Sequence, residues 1–287
     1  MPAIGRIARG PAGFAEGKIM SHFQRVLLTG AAGGVGTALR QSGMRLGKVV
    51  RLSDRRPCEN LAPHEEDFTL DLADFDAVCA AVNGCDAIVH LGGQPLEAEW
   101  KTILDSNISG GYHIYEAARR HGVKRIVYAS SVHAIGYYER TETIDGNVPT
   151  RPDSLYGVSK TFVENLGRYY FDKFGIESVS IRIGSCFPEP TDRRHLITWL
   201  SYRDCRQLVE KCLSAERVGF MVAYGMSNNS RAFWDNRTAA SLGYRPQDSA
   251  DDYADKVFAA TRQGDPNDPA VRYQGGSFCA AGHFEDK

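Results

Sequence analysis

Long apolar runs are missing from this 287-residue chain. Nothing approaches the roughly 18 consecutive apolar residues of a membrane-crossing helix, so no membrane partner is expected. An excess of one charge is missing too: 34 Lys and Arg against 35 Asp and Glu leave a formal net charge of −1, which gives nucleic acid no electrostatic foothold. The seven cysteines (Cys58, Cys79, Cys85, Cys186, Cys205, Cys212, Cys279) are scattered and contain no C-x-x-C pair. That pattern argues against a disulfide framework and against a zinc or other metal site, and fits the reduced thiols of a cytoplasmic protein. Internal repeats and low-complexity tracts are also lacking. What is present, 43% hydrophobic and 24% charged residues, is ordinary globular composition in a chain long enough to bury a core without staples.

The first segment lacks the apolar stretch of a secretory signal. It holds Gly5, Gly10, Gly13, Gly17 and two prolines, so residues 1–22 read as a disordered extension. From Arg25 the chain alternates short β-rich runs with helical stretches. Strands are expected at Arg25–Thr29, Lys48–Ser53, Asp67–Leu70, Asp86–Leu91, Lys124–Ala129 and Glu177–Ile183. Helices are expected from Thr37, over Asp74–Val82, from about Glu97 to His121, and over Tyr156–Phe174. Strands alternating with helices require crossovers and so a parallel sheet: an α/β, doubly wound Rossmann fold. After Ile183 the pattern loosens. Ser201–Asp204 looks like a capping box for a helix to Leu213, Gly219–Tyr224 suits a strand, and Asp235–Leu242 and Ala250–Thr261 suit helices. The expected organisation is one unit over 23–263, with a small substrate lobe mainly over 184–263 and an irregular tail over 264–287.

Between the first strand and helix lies Gly30-Ala-Ala-Gly33-Gly34-Val35-Gly36. Glycines there let the backbone close tightly around a pyrophosphate, and the helix start offers it free N–H groups. Asp54 closes the second strand 18 residues after Gly36, where an acid accepts hydrogen bonds from the adenosine ribose and repels a 2′-phosphate. NAD is therefore the expected cofactor, with some NADP use allowed by Arg55 and Arg56.

Tyr156 and Lys160 stand four apart at a predicted helix start and so share one face. A free phenol titrates near ~10, too high for a base at neutral pH, and a neighbouring ammonium together with the positive nicotinamide ring favours the phenolate. Ser131 lies 25 residues earlier, just past a strand end, placed to hold the reacting oxygen while Tyr156 moves the proton.

These residues together resemble the extended short-chain dehydrogenase/reductases, the epimerase/dehydratase family. The resemblance runs from about Arg25 to Leu242 and takes in Asp71-Leu72, Leu91-Gly92-Gly93, Asn107 and Ser130-Ser131. It implies catalysis by Ser131, Tyr156 and Lys160. It also implies a cofactor site of Gly30, Gly33, Gly34, Val35, Gly36, Asp54, Asp71, Leu72, Leu91, Gly92, Gly93, Asn107, Ser130, Tyr156, Lys160 and Ile183. Asp71 and Leu72 would flank the adenine, and Lys160 would also hold the nicotinamide ribose. Further segments, among them Arg182–Pro190, Trp234-Asp-Asn236 and Tyr273-Gln-Gly-Gly276, are similar to the bacterial uronate dehydrogenases. That family oxidises the C1 hemiacetal of glucuronate or galacturonate to an aldarolactone. By this resemblance Ser131, His133, Ser185 and Arg194 touch the sugar acid, with Arg194 taking its carboxylate. A homo-oligomer is also expected. Val132 and Pro95 stand where that family carries hydrogen-bonding side chains. They leave open another sugar, sugar acid or hydroxy compound as substrate, and a sugar-nucleotide epimerase or dehydratase remains a further alternative.

Overall fold

The computed structural model describes residues 22–41 and 45–286. The expected extension over 1–22 lies outside them, apart from His22. Strands β1 (Arg25–Thr29), β2 (Val49–Ser53), β3 (Glu65–Asp67), β4 (Ala87–His90), β5 (Arg125–Ser131) and β6 (Glu177–Ile183) are joined by a later strand in one seven-stranded sheet. Two short strands, β7 (Ser185–Cys186) and β8 (Trp199–Leu200), pair separately, and β9 (Phe220–Gly225) completes the large sheet beside β6. The order is β3-β2-β1-β4-β5-β6-β9, and all of its pairings are parallel. The chain reverses its direction of travel between β1 and β4, the crevice where open α/β sheets bind ligands.

Helices α1 (Gly34–Gln41), α2 (Phe75–Val82), α3 (Trp100–Ile103), α4 (Gly110–His121) and α5 (Leu155–Phe174) supply the crossovers. Beyond β6 come α6 (His195–Thr198), α7 (Tyr202–Ser214), α8 (Arg237–Ser241), α9 (Ala254–Ala260), α10 (Pro269–Arg272) and α11 (Ser277–Ala280). Alternation along each strand divides the core between the two sheet faces. Val26, Leu28, Val50, Leu52 and Val89 pack with Leu208, Val209 and Leu213 of α7. Leu27, Ile88, Ile126 and Tyr128 pack with Val78 of α2, Ile114 of α4 and Val163 of α5. Each strand buried on both faces is a near-continuous apolar run, as parallel strands covered by helices require.

Several expectations shift. The third strand runs over Glu65–Asp67 and not Asp67–Leu70, because an edge strand of acids is held by arginines: Glu65 pairs with Arg40, and Glu66 with Arg51 and Arg25. The helical stretch expected from about Glu97 to His121 runs unbroken from Trp100 to His121 but is not α-helical throughout. It begins as α3, widens into a π-helical turn over Leu104–Ser109 and resumes as α4, and the side chain of Asn107 in the turn bonds Gln94 and Ser159. Ser201 does cap α7, accepting from the Asp204 N–H at 3.0 Å. The Asp204 carboxylate, however, serves Ser227, Gln247 and Asp248. The strand expected in the C-terminal lobe is β9, which belongs to the main sheet. The tail is not irregular throughout: α10 and α11 lie in it, and Tyr273 bridges antiparallel to Glu139. Gln274 anchors it, fully buried, accepting from Trp234 Nε1 at 2.8 Å and donating to the carbonyls of Glu139 and Glu142.

Candidate active site

The glycine turn sits at the carboxyl end of β1. Gly30 has φ +68°, and a Cβ there would meet Gly92 N at 2.8 Å, so the loop after β4 closes directly on the turn. A Cβ on Gly36 would come within 2.3 Å of Gly30 O, so α1 can start this close to the strand only with glycine. Asp54 faces the same turn, accepting from Ala32 N at 3.1 Å and Arg55 N at 2.8 Å. A cleft of about 490 Å³, counting its open mouth, is lined there by Gly30, Asp54, Asp71, Leu72, Gly92 and Gly93. Thr29, Ser53, Leu70 and Ser106, which the motif reading did not single out, complete the lining together with Arg55, the arginine expected to allow some NADP use. Val35, Leu91 and Ile183 instead pack against the apolar core on one sheet face. Asn107 points its amide at Gln94 and Ser159, and Ser130 donates to Glu164 at 2.6 Å. The tight glycine cradle with an acid fixed beside it suits a dinucleotide: pyrophosphate on the turn, ribose on Asp54.

Past the cleft, the ends of β5 and α5 bring Ser131, Tyr156 and Lys160 together, all buried. The Ser131 hydroxyl hydrogen-bonds the Tyr156 phenol and accepts from His133 N at 3.2 Å. Lys160 donates to Ala129 O at 2.8 Å, and its Nζ lies 5.3 Å from the centroid of the Tyr156 ring. Burial pushes the Lys160 ammonium down to about 8, with Glu164 pulling the other way. Burial also pushes the Tyr156 phenol up to about 12 against the lowering pull of Ser131. The lowering expected of Lys160 together with the positive nicotinamide ring concerns the cofactor-bound site; without that ring, burial dominates the phenol.

His133 and Arg194 are joined by the tail. His133 Nδ1 donates to Asp153 Oδ2 at 2.8 Å, and its ring stacks on Phe278 with centroids 3.9 Å apart. The Asp153 carboxylate is accommodated by two glycines, since a Cβ on Gly136 or on Gly275 would lie 1.9 Å from Oδ2. Next along the tail, Gly276 lies against the Arg194 side chain. Arg194 donates to Gln274 O from Nε at 3.2 Å and from Nη2 at 3.1 Å, and from Nη1 to Ser185 Oγ at 3.4 Å. Among the described residues no carboxylate lies in ion-pair range of this guanidinium, and burial and Arg140 both weaken its hold on the proton. Val132, one of the two departures, is buried in an apolar cluster with Tyr138, Tyr224 and Trp234. Sequence reasoning missed Asp153, Gln274 and Phe278. The one signal was the Tyr273-Gln-Gly-Gly276 run, whose paired glycines mark a close backbone approach.

Residues 26–209 match the NAD dependent epimerase/dehydratase family. A uronate dehydrogenase of Pseudomonas syringae pv. tomato is 51% identical over 92% of this chain and 96% of its own. The crystal structure of glucuronic acid dehydrogenase from Chromohalobacter salexigens superposes with a TM-score of 0.89 at 50% identity, covering 92% of this chain and all of that one. A mutant of uronate dehydrogenase from Agrobacterium tumefaciens, complexed with NAD, superposes at 0.87 with 47% identity over 90% of this chain and 98% of that one. The matched span holds the glycine turn, the Asp54 strand end and the Tyr156–Lys160 helix, and the chain belongs to the NAD dependent epimerase/dehydratase family.

Proposed function

We propose that the protein is an NAD-dependent dehydrogenase that oxidises a hexuronic acid, such as glucuronate or galacturonate, at its C1 hemiacetal to the aldarolactone. The observation that carries the substrate half is Arg194, a half-buried guanidinium whose partners are a carbonyl and a hydroxyl. A planar guanidinium receives a carboxylate through two parallel N–H bonds, and a desolvated one lacking a counter-charge gains most from it. Uronate oxidation by the relatives named above supports the same substrate class.

The Gly30–Gly36 turn, Asp54, Asp71, Leu72 and Lys160 would hold the cofactor. NAD, when bound, supplies the hydride acceptor. The rest falls to side chains. Arg194 and Ser185 fix the carboxylate end of the sugar. His133 keeps its Nδ1 proton on Asp153, which leaves Nε2 as an acceptor for a sugar hydroxyl. Ser131 holds the C1 oxygen, and Tyr156 takes the C1 hydroxyl proton as the C1–H bond breaks. Lys160 keeps a positive charge beside the phenolate that does this work. No water is consumed, since the ring oxygen already joins C1 and the product is a lactone.

The reading extends to a cytoplasmic homo-oligomer. The reduced cysteines support the first part, and Tyr112, Phe162 and Tyr169, exposed on α4 and α5, support the second. NADH formation from glucuronate or galacturonate, with NMR identification of the lactone, tests the reaction. NAD should be preferred over NADP by at least about tenfold in kcat/KM, ~1.4 kcal/mol of discrimination from Asp54. Oxidation of neutral aldoses alone would replace this reading with an aldose dehydrogenase.

A further inference from the structure

We propose that Glu97 is a positioning residue for the reaction, gripping the backbone of Tyr156 and tying it to the loop that walls the cofactor cleft. The inference rests on Tyr156 as the base. Helix α5 opens with N–H groups that have no partner inside the helix. Glu97, 58 residues earlier in the chain than Leu155, accepts from Leu155 N through Oε1 at 3.1 Å and from Tyr156 N through Oε2 at 2.7 Å. Ser154 takes the next, Gly157 N, at 3.0 Å. A carboxylate bonded to helix-start amides is the strong kind of hydrogen bond, reinforced by the helix dipole.

The carbonyl of Tyr156 is tied to the same loop. Ser159 Oγ donates to Tyr156 O at 2.6 Å and receives Asn107 Nδ2 at 3.0 Å. The Asn107 amide in turn holds Gln94 by both backbone groups, accepting from its N–H at 2.7 Å and donating to its carbonyl at 3.1 Å. Glu97 thus holds the Tyr156 N–H directly and Gln94 reaches its carbonyl through Asn107 and Ser159, and both residues follow closely on Gly92 and Gly93 of the cleft. The phenol is thereby set relative to the cofactor wall by a loop, although α5 itself packs on β5 and β6. A misplacement of about 1 Å at a reacting group can cost on the order of 100-fold in rate.

Glu97→Ala and Glu97→Gln in the full chain, assayed with NAD and galacturonate at a temperature where each variant is fully folded, test this. Glu97→Ala should lose about ten- to a hundred-fold in kcat with both KM values within about threefold. Glu97→Gln, which keeps one acceptor oxygen, should lie between it and the parent. The double variant with Tyr156→Phe should be no slower than Tyr156→Phe alone, because Glu97 acts through Tyr156. A Glu97→Ala kcat within twofold of the parent, or a further multiplicative loss in the double variant, would overturn the proposal. An active Tyr156→Phe enzyme would instead remove the base assignment on which it rests.

Discussion

Burial of the Tyr156 phenol, opposed by its hydrogen bond to Ser131, leaves it protonated at neutral pH until something nearby favours the phenolate. Lys160 is the cation this chain supplies, with its Nζ 5.3 Å from the ring centroid. A positive charge beside the ring favours the phenolate, as does the positive nicotinamide of the bound cofactor. Lys160 itself is brought down only to about 8, so it still carries its charge at neutral pH. Oxidation needs the phenolate, so kcat/KM should rise with pH. Lys160→Met removes the positive charge, raises the phenol further and should move that rising limb roughly one to two units toward alkali. A limb that stays in place in the pH profile of Lys160→Met would mean the ammonium does not act on the phenol. His133 shows a different division of labour: Asp153 settles which ring nitrogen carries the proton, and Phe278 settles the plane of the ring.

Between α5 and β6 lies a buried ion pair. Arg182, 2% exposed, donates to Glu164 from Nε at 3.0 Å and from Nη2 at 2.8 Å, and Ser130 adds a third bond to the same carboxylate. Removing one partner strands a charge in the core. Glu164→Ala should therefore cost about 3–5 kcal/mol in urea unfolding, while replacing both residues by apolar ones of similar volume should cost much less. Equal losses in the single and double variants would contradict this account of the pair. Elements of this kind also show what the residues alone convey. β1 and β6 are legible because strands covered on both faces must be apolar throughout or alternate cleanly. Tyr156, Lys160, Ser131, Asp54 and the glycine turn are legible because their chemistry is local, with spacing along one helix or one turn placing the groups. β3 is not, since three consecutive acids read as surface until Arg40 and Arg51 arrive from elsewhere to pair with them. The π-helical turn at Asn107 is hidden for a similar reason: its partners, Gln94 and Ser159, belong to other segments. Asp153, Glu97 and Phe278 stayed silent because each acts only through a contact with a distant part of the chain, which spacing does not encode.

Over the whole molecule the near-zero net charge leaves attraction for an anion to local arrangement. Stability against acid is also set by particular buried groups. His90, on the central strand β4, is enclosed with its Nδ1 2.7 Å from Thr29 Oγ1, and burial, with Lys160 nearby, lowers it from 6.5 to about 3. The unfolded chain protonates this ring below about 6.5 and the folded one does not until about 3, so stability falls as pH drops across that window. Urea unfolding between pH 6 and pH 4 should show His90 contributing about 1.4 kcal/mol per pH unit, a slope that His90→Gln removes. An unchanged slope would place the acid sensitivity elsewhere. The claim on which the functional account turns is that Arg194 reads a carboxylate while Ser131, Tyr156 and Lys160 carry out the oxidation. It is tested most directly by kcat/KM for galacturonate relative to galactose, measured by NADH formation in the parent enzyme and in Arg194→Ala. The account predicts a parent ratio of at least about 100, falling by tenfold or more in Arg194→Ala through loss of the uronate alone, since a charge-assisted bidentate contact is worth ~1.5–3 kcal/mol. A parent that prefers galactose, or a ratio that Arg194→Ala leaves unchanged, would contradict it.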